Sequence, residues 1–250
     1  MTEPGVSLLG TGASLSDDEI TDLYAVDDRT VGWLRVNFVS SVDGAGTHDG
    51  LSGGLGTPAD KRVFDLLRRL CDVVLVGAGT VRAEGYGPMR LDDAAVRWRQ
   101  AHGLPAHPVF AIVSARLNLD PFHPLFADAP VRPIVVTVGS APEERRKALA
   151  GVADVLIAGD DHVDPGRMRS LLADRGLAQV HSEGGPHLFA DFLRADAVDE
   201  VCLTISPVLE GPGAGRIVGG QPTGIQRPMA LAHVLSSEAT LLLRYVRDRS

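Results

Sequence analysis

The residue pattern predicts an α/β protein whose central sheet is mostly parallel and ends in an antiparallel C-terminal edge. Three observations carry this. Short apolar runs alternate with amphipathic stretches along most of the chain, as in strands joined by crossover helices. Two runs lead straight into a glycine-rich turn and then a helical pattern: Val73-Val74-Leu75-Val76-Gly77-Ala78-Gly79-Thr80, and Val180-His181-Ser182-Glu183-Gly184-Gly185-Pro186. Late in the chain, apolar strands at 201–206 and 241–246 have no helical pattern between them, which predicts antiparallel pairing.

Residues 1–30 read as an appendage and 31–250 as one body. Leu15-Ser16-Asp17-Asp18-Glu19-Ile20 is a capping box: Ser16 caps, Glu19 reaches back, and Leu15 can staple to Ile20, so a short helix to about Tyr24 follows. Leu34, Val36 and Phe38 share one face of the first body strand, with Arg35 and Asn37 opposite. A loop with Gly44, Gly46, Gly50, Gly53, Gly54 and Gly56 comes next. Such glycine density without a repeat means a mobile lid or a backbone pressed against a ligand. Thr57 caps the next helix, Pro58 opens it, and Val63, Leu66, Leu67 and Leu70 form its buried stripe. After strand 73–76 come a polar helical stretch at 92–102 and strands at 109–113, 134–138 and 155–158. Helices are expected at 142–150 and 165–175, the second stopped by Gly176. Strand 178–181 enters the second glycine turn, and Pro186 opens a helix turning Leu188, Phe189, Phe192 and Leu193 to the core.

At 250 residues the chain can bury one large core or two small ones. It is 44% hydrophobic and 22% charged, as in globular proteins, and no apolar run approaches the ~20 residues of a membrane helix. A formal net charge of −8 argues against nucleic-acid binding by a basic face, so an anionic ligand must be met by local arginines and backbone donors. Cys71 and Cys202 both fall in apolar patterns and read as buried thiols, without a disulfide framework or a paired-cysteine zinc site. The eight histidines lack paired metal-ligand spacing, so no metal site is assigned. With no Lys or Arg before Arg29, the start lacks a signal peptide's basic region, and the expected location is cytoplasmic.

A strand feeding a glycine turn and then a helix presents bare backbone N–H groups to an anion. Two such turns suggest a phosphate-rich dinucleotide held between them. In Gly77-Ala78-Gly79-Thr80-Val81-Arg82, Arg82 stands where a third glycine would complete a dinucleotide fingerprint, which argues against a standard Rossmann unit. The stretch reads as a structural turn or as a ligand site in which Thr80 and Arg82 meet a phosphate. Glu183-Gly184-Gly185-Pro186 suits a pyrophosphate, or is a tight turn with Glu183 solvated. Ser114 and Arg116, just past a strand, can grip a ribose 2′-phosphate or be solvated loop residues. Asp43 belongs to a turn or presents a carboxylate beside a nicotinamide. Asp60 lies in the first turn of its helix, where the dipole favours it; buried, it would hold a substrate nitrogen. Arg68 complements the end of that helix or meets an anionic substrate group.

In order, these segments resemble the pyrimidine reductase of riboflavin biosynthesis, usually the C-terminal half of a bifunctional deaminase–reductase with a dihydrofolate-reductase-like fold. The resemblance runs from about Trp33 to Val246. It rests on the segments from Asn37 through Gly44, Ser52 through Arg68, Val74 through Glu84, Glu183 through Leu188, and Val198 through Val201 leading to Ser206-Pro207. It implies a three-layer reductase domain, NADPH as hydride donor, a small-molecule substrate and a homodimer. Positions matching Ser40, Gly54, Thr80, Glu84 and Ser114 would touch the nucleotide, as would Gly184 and the segment Gly185, Pro186, His187, Leu188. Positions matching Ser52, Arg68 and Glu183 would touch the substrate. The deaminase half is absent, so the expected activity is reductase only. Two departures bear on the substrate. The family's Asp-Pro followed by a phosphate-holding arginine is replaced by Gly85-Tyr86-Gly87-Pro88-Met89-Arg90, which leaves Arg90 out of register. Asp60 occupies a position usually uncharged in the riboflavin enzymes and resembles the substrate-holding carboxylate of dihydrofolate reductases. The expected catalytic carboxylates are therefore Asp60 and Glu183. The substrate is the riboflavin intermediate or a pterin, and a non-catalytic NADPH-binding module is the alternative of another class.

Overall fold

The computed structural model describes residues 7–8, 13–221, 224 and 226–247. Ten strands form one sheet: β1 (Ser7–Leu8), β2 (Trp33–Ser41), β3 (Val73–Gly77), β4 (Val109–Val113), β5 (Ile134–Thr137), β6 (Asp154–Ile157), β7 (Gln179–Ser182), β8 (Glu200–Ser206), β9 (Met229–Ser237) and β10 (Thr240–Arg247). Their spatial order is β1-β9-β10-β8-β2-β7-β3-β4-β5-β6. Every pairing from β8 across to β6 is parallel. The pairs β8–β10, β10–β9 and β9–β1 are antiparallel. The central runs are continuous rather than alternating because both faces are covered: all four residues of β5 are buried, as are Val73, Val74, Leu75 and Val76 of β3.

Helices cover both faces, completing three layers. Helices α7 (Pro165–Ala173) and α8 (Pro186–Arg194) pack Met168, Leu172, Leu188, Phe189 and Phe192 on Leu34, Val36, Leu75 and Val136. On the other face, α3 (Ala78–Ala83), α5 (Pro124–Ala127) and α6 (Glu143–Ala150) pack on Val74, Val76, Phe110 and Ile112. Helices α1 (Asp17–Tyr24) and α2 (Pro58–Leu70) cover the antiparallel end, and α4 (Asp93–Ala101) packs beside α2. The caps follow the sequence: Ser16 and Glu19 form the capping box, Thr57 accepts from the Asp60 amide, and Asp92 accepts from the Ala95 amide.

The structure adds to two expectations. The late strands are not consecutive: β9 lies between them in sequence and, with β1, extends the antiparallel end. Ala230, Leu231 and Ala232 of β9 are all exposed, so no period-two alternation marks that strand. Helix α1, in the segment expected as an appendage, packs against the body. Ile20 and Tyr24 are buried against Leu67 and Leu235. Arg35 donates to the Tyr24 carbonyl, and Arg244 to the Leu23 carbonyl. Both guanidiniums also hold Glu200, at 2.7 Å and 3.0 Å, so a buried ion cluster ties α1 to β2, β8 and β10. Burial alone would raise the Glu200 carboxyl, but Arg35 and Arg244 hold it at about 2.

Candidate active site

Parallel strands end on the same rim of the sheet, so the turns after β3, β4 and β7 are brought together there. Between them and α2 lies a cleft of about 1530 Å³. Its walls include Gly77, Gly79, Thr80, Arg82 and Glu84 from the first glycine turn and α3. Gly184, Gly185, Pro186, His187 and Leu188 come from the second turn and α8, and Ser114 and Arg116 from the loop after β4. Ser52, Asp60, Arg68 and Glu183 complete the set.

The two glycine turns abut. The Gly77 amide donates to the Gly184 carbonyl at 3.1 Å. Gly184 and Gly185 adopt φ of +120° and +93°, a region costly for any residue with a side chain. A Cβ on Gly185 would lie 3.4 Å from Thr80 Oγ1, whereas Gly79 faces open space. Gly77 and Gly185 are the N-cap residues of α3 and α8 and give no side-chain cap, and His187 and Leu188 of the first turn of α8 line the cleft. Bare backbone of this kind, at the start of a helix, suits a phosphate group. Beyond β4, the Arg116 guanidinium is exposed and without a hydrogen-bond partner among the described residues, while its carbonyl accepts from Arg145 at 2.9 Å. Arg82 is pinned to the Asn118 carbonyl at 3.1 Å, and Ser114 Oγ accepts the Leu117 amide, which shapes the loop.

In the same cleft, Arg68 and Glu183 meet across 115 positions of sequence. Arg68 Nε and Nη2 donate to the two carboxylate oxygens at 2.5 Å and 2.7 Å. The Glu183 side chain is 0% exposed and that of Arg68 19%. Tyr86 donates its hydroxyl to Glu183 Oε2 at 3.1 Å, and the Arg68 guanidinium lies 4.4 Å from the Phe64 ring centroid. Burial opposes the charge on Arg68, but Glu183 overrides it and raises its pKa; burial and then Glu183 raise that of Tyr86. Asp60 lines the cleft with its carboxyl pushed up by burial, an effect the hydroxyl of Thr204 partly offsets.

Three expected residues do not line the cleft. Ser40 Oγ donates to the Ser41 carbonyl inside β2. Asp43 is a loop anchor: it accepts the Ser41 hydroxyl and the Gly211 and Glu210 amides, which hold its carboxyl at about 2. Gly54 makes room for His48, since a Cβ there would sit 2.9 Å from the His48 Cβ. Ser52 and Glu84, expected on substrate and nucleotide respectively, bind each other: Glu84 Oε1 accepts the Ser52 amide at 2.7 Å and its hydroxyl at 2.8 Å. They pin the glycine loop to the end of α3. That loop is also pressed against a second one, with the Gly46 amide 2.6 Å from the Gly215 carbonyl. Sequence reasoning did not place Phe64, Tyr86, Arg216 or Ile217 in the site. Gly211, Gly213, Gly215, Gly219 and Gly220 are the signal that marks the Arg216 loop.

The family model for the RibD C-terminal domain matches residues 32–242. Two sequence relatives, each named 2,5-diamino-6-ribosylamino-4(3H)-pyrimidinone 5′-phosphate reductase, come from Methanothermobacter thermautotrophicus and Archaeoglobus fulgidus. The first is 31% identical over 182 residues, 72% of this chain and 79% of the relative. The second is 27% identical over 181 residues, 72% of this chain and 82% of the relative. The solved structure of a pyrimidine reductase-like protein from Corynebacterium diphtheriae superposes with a TM-score of 0.83 at 26% identity, covering 94% of this chain and 100% of that one. The expected fold and the expected kinship thus agree, and the chain belongs to the RibD C-terminal domain family, whose members among its homologues are reductases of riboflavin biosynthesis.

Proposed function

We propose that the protein is an NADPH-dependent reductase that converts the ribosyl group of a phosphoribosylamino-pyrimidine to the ribityl form. The observation that carries this is the joining, in one cleft, of a side-chain-free phosphate cradle and a buried Arg68–Glu183 pair. Gly77, Gly79, Thr80, Gly184 and Gly185 would surround the pyrophosphate, with the amides of His187 and Leu188 as donors. Arg116 and Ser114 would hold the 2′-phosphate that separates NADPH from NADH. The nicotinamide supplies the hydride when bound; the protein supplies orientation and charge. Arg68 would meet the anionic end of the substrate, Glu183 would hold its polar ring or ribose groups, and Phe64 and Tyr86 would give it apolar walls. The family kinship also supports a cytoplasmic homodimer, and light scattering on the purified protein reads the mass directly. The functional test is substrate-dependent loss of NADPH absorbance with the riboflavin intermediate. Cofactor binding without turnover would leave a nucleotide-binding module instead.

One observation favours a second reading. Asp60 is a half-buried carboxylate in the cleft, with its carboxyl raised by burial and the Thr204 hydroxyl as partner. Such a group gains from two adjacent N–H donors on a ring, as a pterin offers. Dihydrofolate in the same assay separates the two substrates.

A further inference from the structure

His181 stands two residues before Glu183 and on the same face of its strand, one layer beneath the cleft. It is in register with Arg35 on β2 and Val74 on β3. It is 1% exposed, yet neither ring nitrogen has a hydrogen-bond partner among the described residues. Its Nε2 lies 3.5 Å from Glu183 Oε1, short of a normal bond by a few tenths of an ångström. His181 also lines a second cavity of about 220 Å³, walled by Tyr24, Arg35, Cys71, His102 and Gln179.

The charges around this ring decide its form. Burial, then Arg35 from β2 and Arg68 from α2, hold its pKa well below the usual histidine range, and Glu200 from β8 opposes them weakly. A neutral imidazole has one N–H donor and one acceptor nitrogen. It can therefore donate one hydrogen bond. Glu183 is ordinarily held by two charged bonds from Arg68. If Arg68 turns toward a substrate anion, those bonds are lost, and a buried carboxylate stripped of its partner is costly. Tyr86 continues to hold Oε2, but Oε1 is left with His181 as its nearest donor.

We propose that His181 is a positioning residue that donates its Nε2–H to Glu183 Oε1 when Arg68 leaves that carboxylate for an anionic group of the substrate. Nδ1 is then the acceptor, in a residue that lines a cavity with room for water. The proposal rests on Arg68 meeting the substrate, as in the proposed function.

Nitrogen NMR of the cofactor-free protein should show His181 as the neutral Nε2–H tautomer, unchanged between about pH 6 and 8. The Nδ1–H tautomer, or titration in that range, overturns the donor role. In kinetics, His181→Leu should raise the pyrimidine KM about ten- to a hundredfold, the worth of one hydrogen bond to a charged acceptor, with kcat within about twofold. Cofactor affinity and melting temperature should not fall, since the resting bond is not made. His181→Gln, which keeps an N–H at similar reach, should restore KM. An unchanged KM in folded His181→Leu, or an equal loss in His181→Gln, overturns the proposal. A purely structural role would instead lower the melting temperature of both variants. If the unmodified protein reduces no pyrimidine, the functional reading fails, while the tautomer measured without substrate or cofactor still accepts or refutes the imidazole as a donor.

Discussion

Arg68→Ala tests the central pair most directly. Removing the guanidinium leaves Glu183, whose side chain is 0% exposed, with only the Tyr86 hydroxyl at 3.1 Å and the distant His181. Breaking a buried pair by removing one partner costs about 3–5 kcal/mol, because the remaining charge is uncompensated. At about 2–4 °C per kcal/mol for a chain of this size, the melting temperature should fall by roughly 6–20 °C. Thermal melts followed by circular dichroism measure the loss. A fall under about 2 °C would refute the assignment of Glu183 as an ion held by Arg68. Arg68→Leu combined with Glu183→Gln should recover much of the stability, since the stranded charge is gone.

Arg116→Ala should weaken NADPH binding about ten- to a hundredfold and leave NADH unchanged, as read by fluorescence titration; equal affinities in the unmodified protein sink the 2′-phosphate role. Gly185→Val should weaken cofactor binding, because its side chain enters the cradle beside Thr80 Oγ1, and lower the melting temperature, because φ of +93° is costly for a branched side chain. Normal binding by that variant would remove the cradle from the site. Asp60→Asn should cost about 2 kcal/mol or more in transition-state binding of a pterin, and less with the riboflavin intermediate; no effect with either makes Asp60 a helix-dipole residue. Glu200, held at about 2, contributes stability that is full above its unfolded value near 4.3 and lost as pH falls toward 2. Glu200→Gln should flatten acid unfolding over that range, and an unaltered acid transition argues against the cluster as its source.

The local code of the chain was legible to a high degree. The capping box at Ser16, the Thr57-Pro58 helix start and the Asp92 cap are contacts within three or four residues, and they stand where the spacing puts them. The parallel centre was legible because strands buried on both faces lose their alternation. β9 was not, because an exposed outer strand shows no period of two or of 3.6. The N-terminal helix carried its own cap but no sign of its destination, since Tyr24 and Ile20 are buried by residues of α2, β9 and β10.

For the site, the amino-acid sequence by itself determined the two glycine turns, the strands that end at them and the family that shares them. A glycine turn is a property of backbone torsions, and those are set locally. Only the tertiary structure decided what each side chain serves. It made Asp43 a loop anchor, paired Ser52 with Glu84, and brought Arg68 to Glu183 from 115 positions away. Partners of charge and hydrogen bonding are chosen by distance in space, and burial then multiplies their strength. The carboxylate of Glu183 has its strongest bonds with residues that nothing near it in the chain foretells.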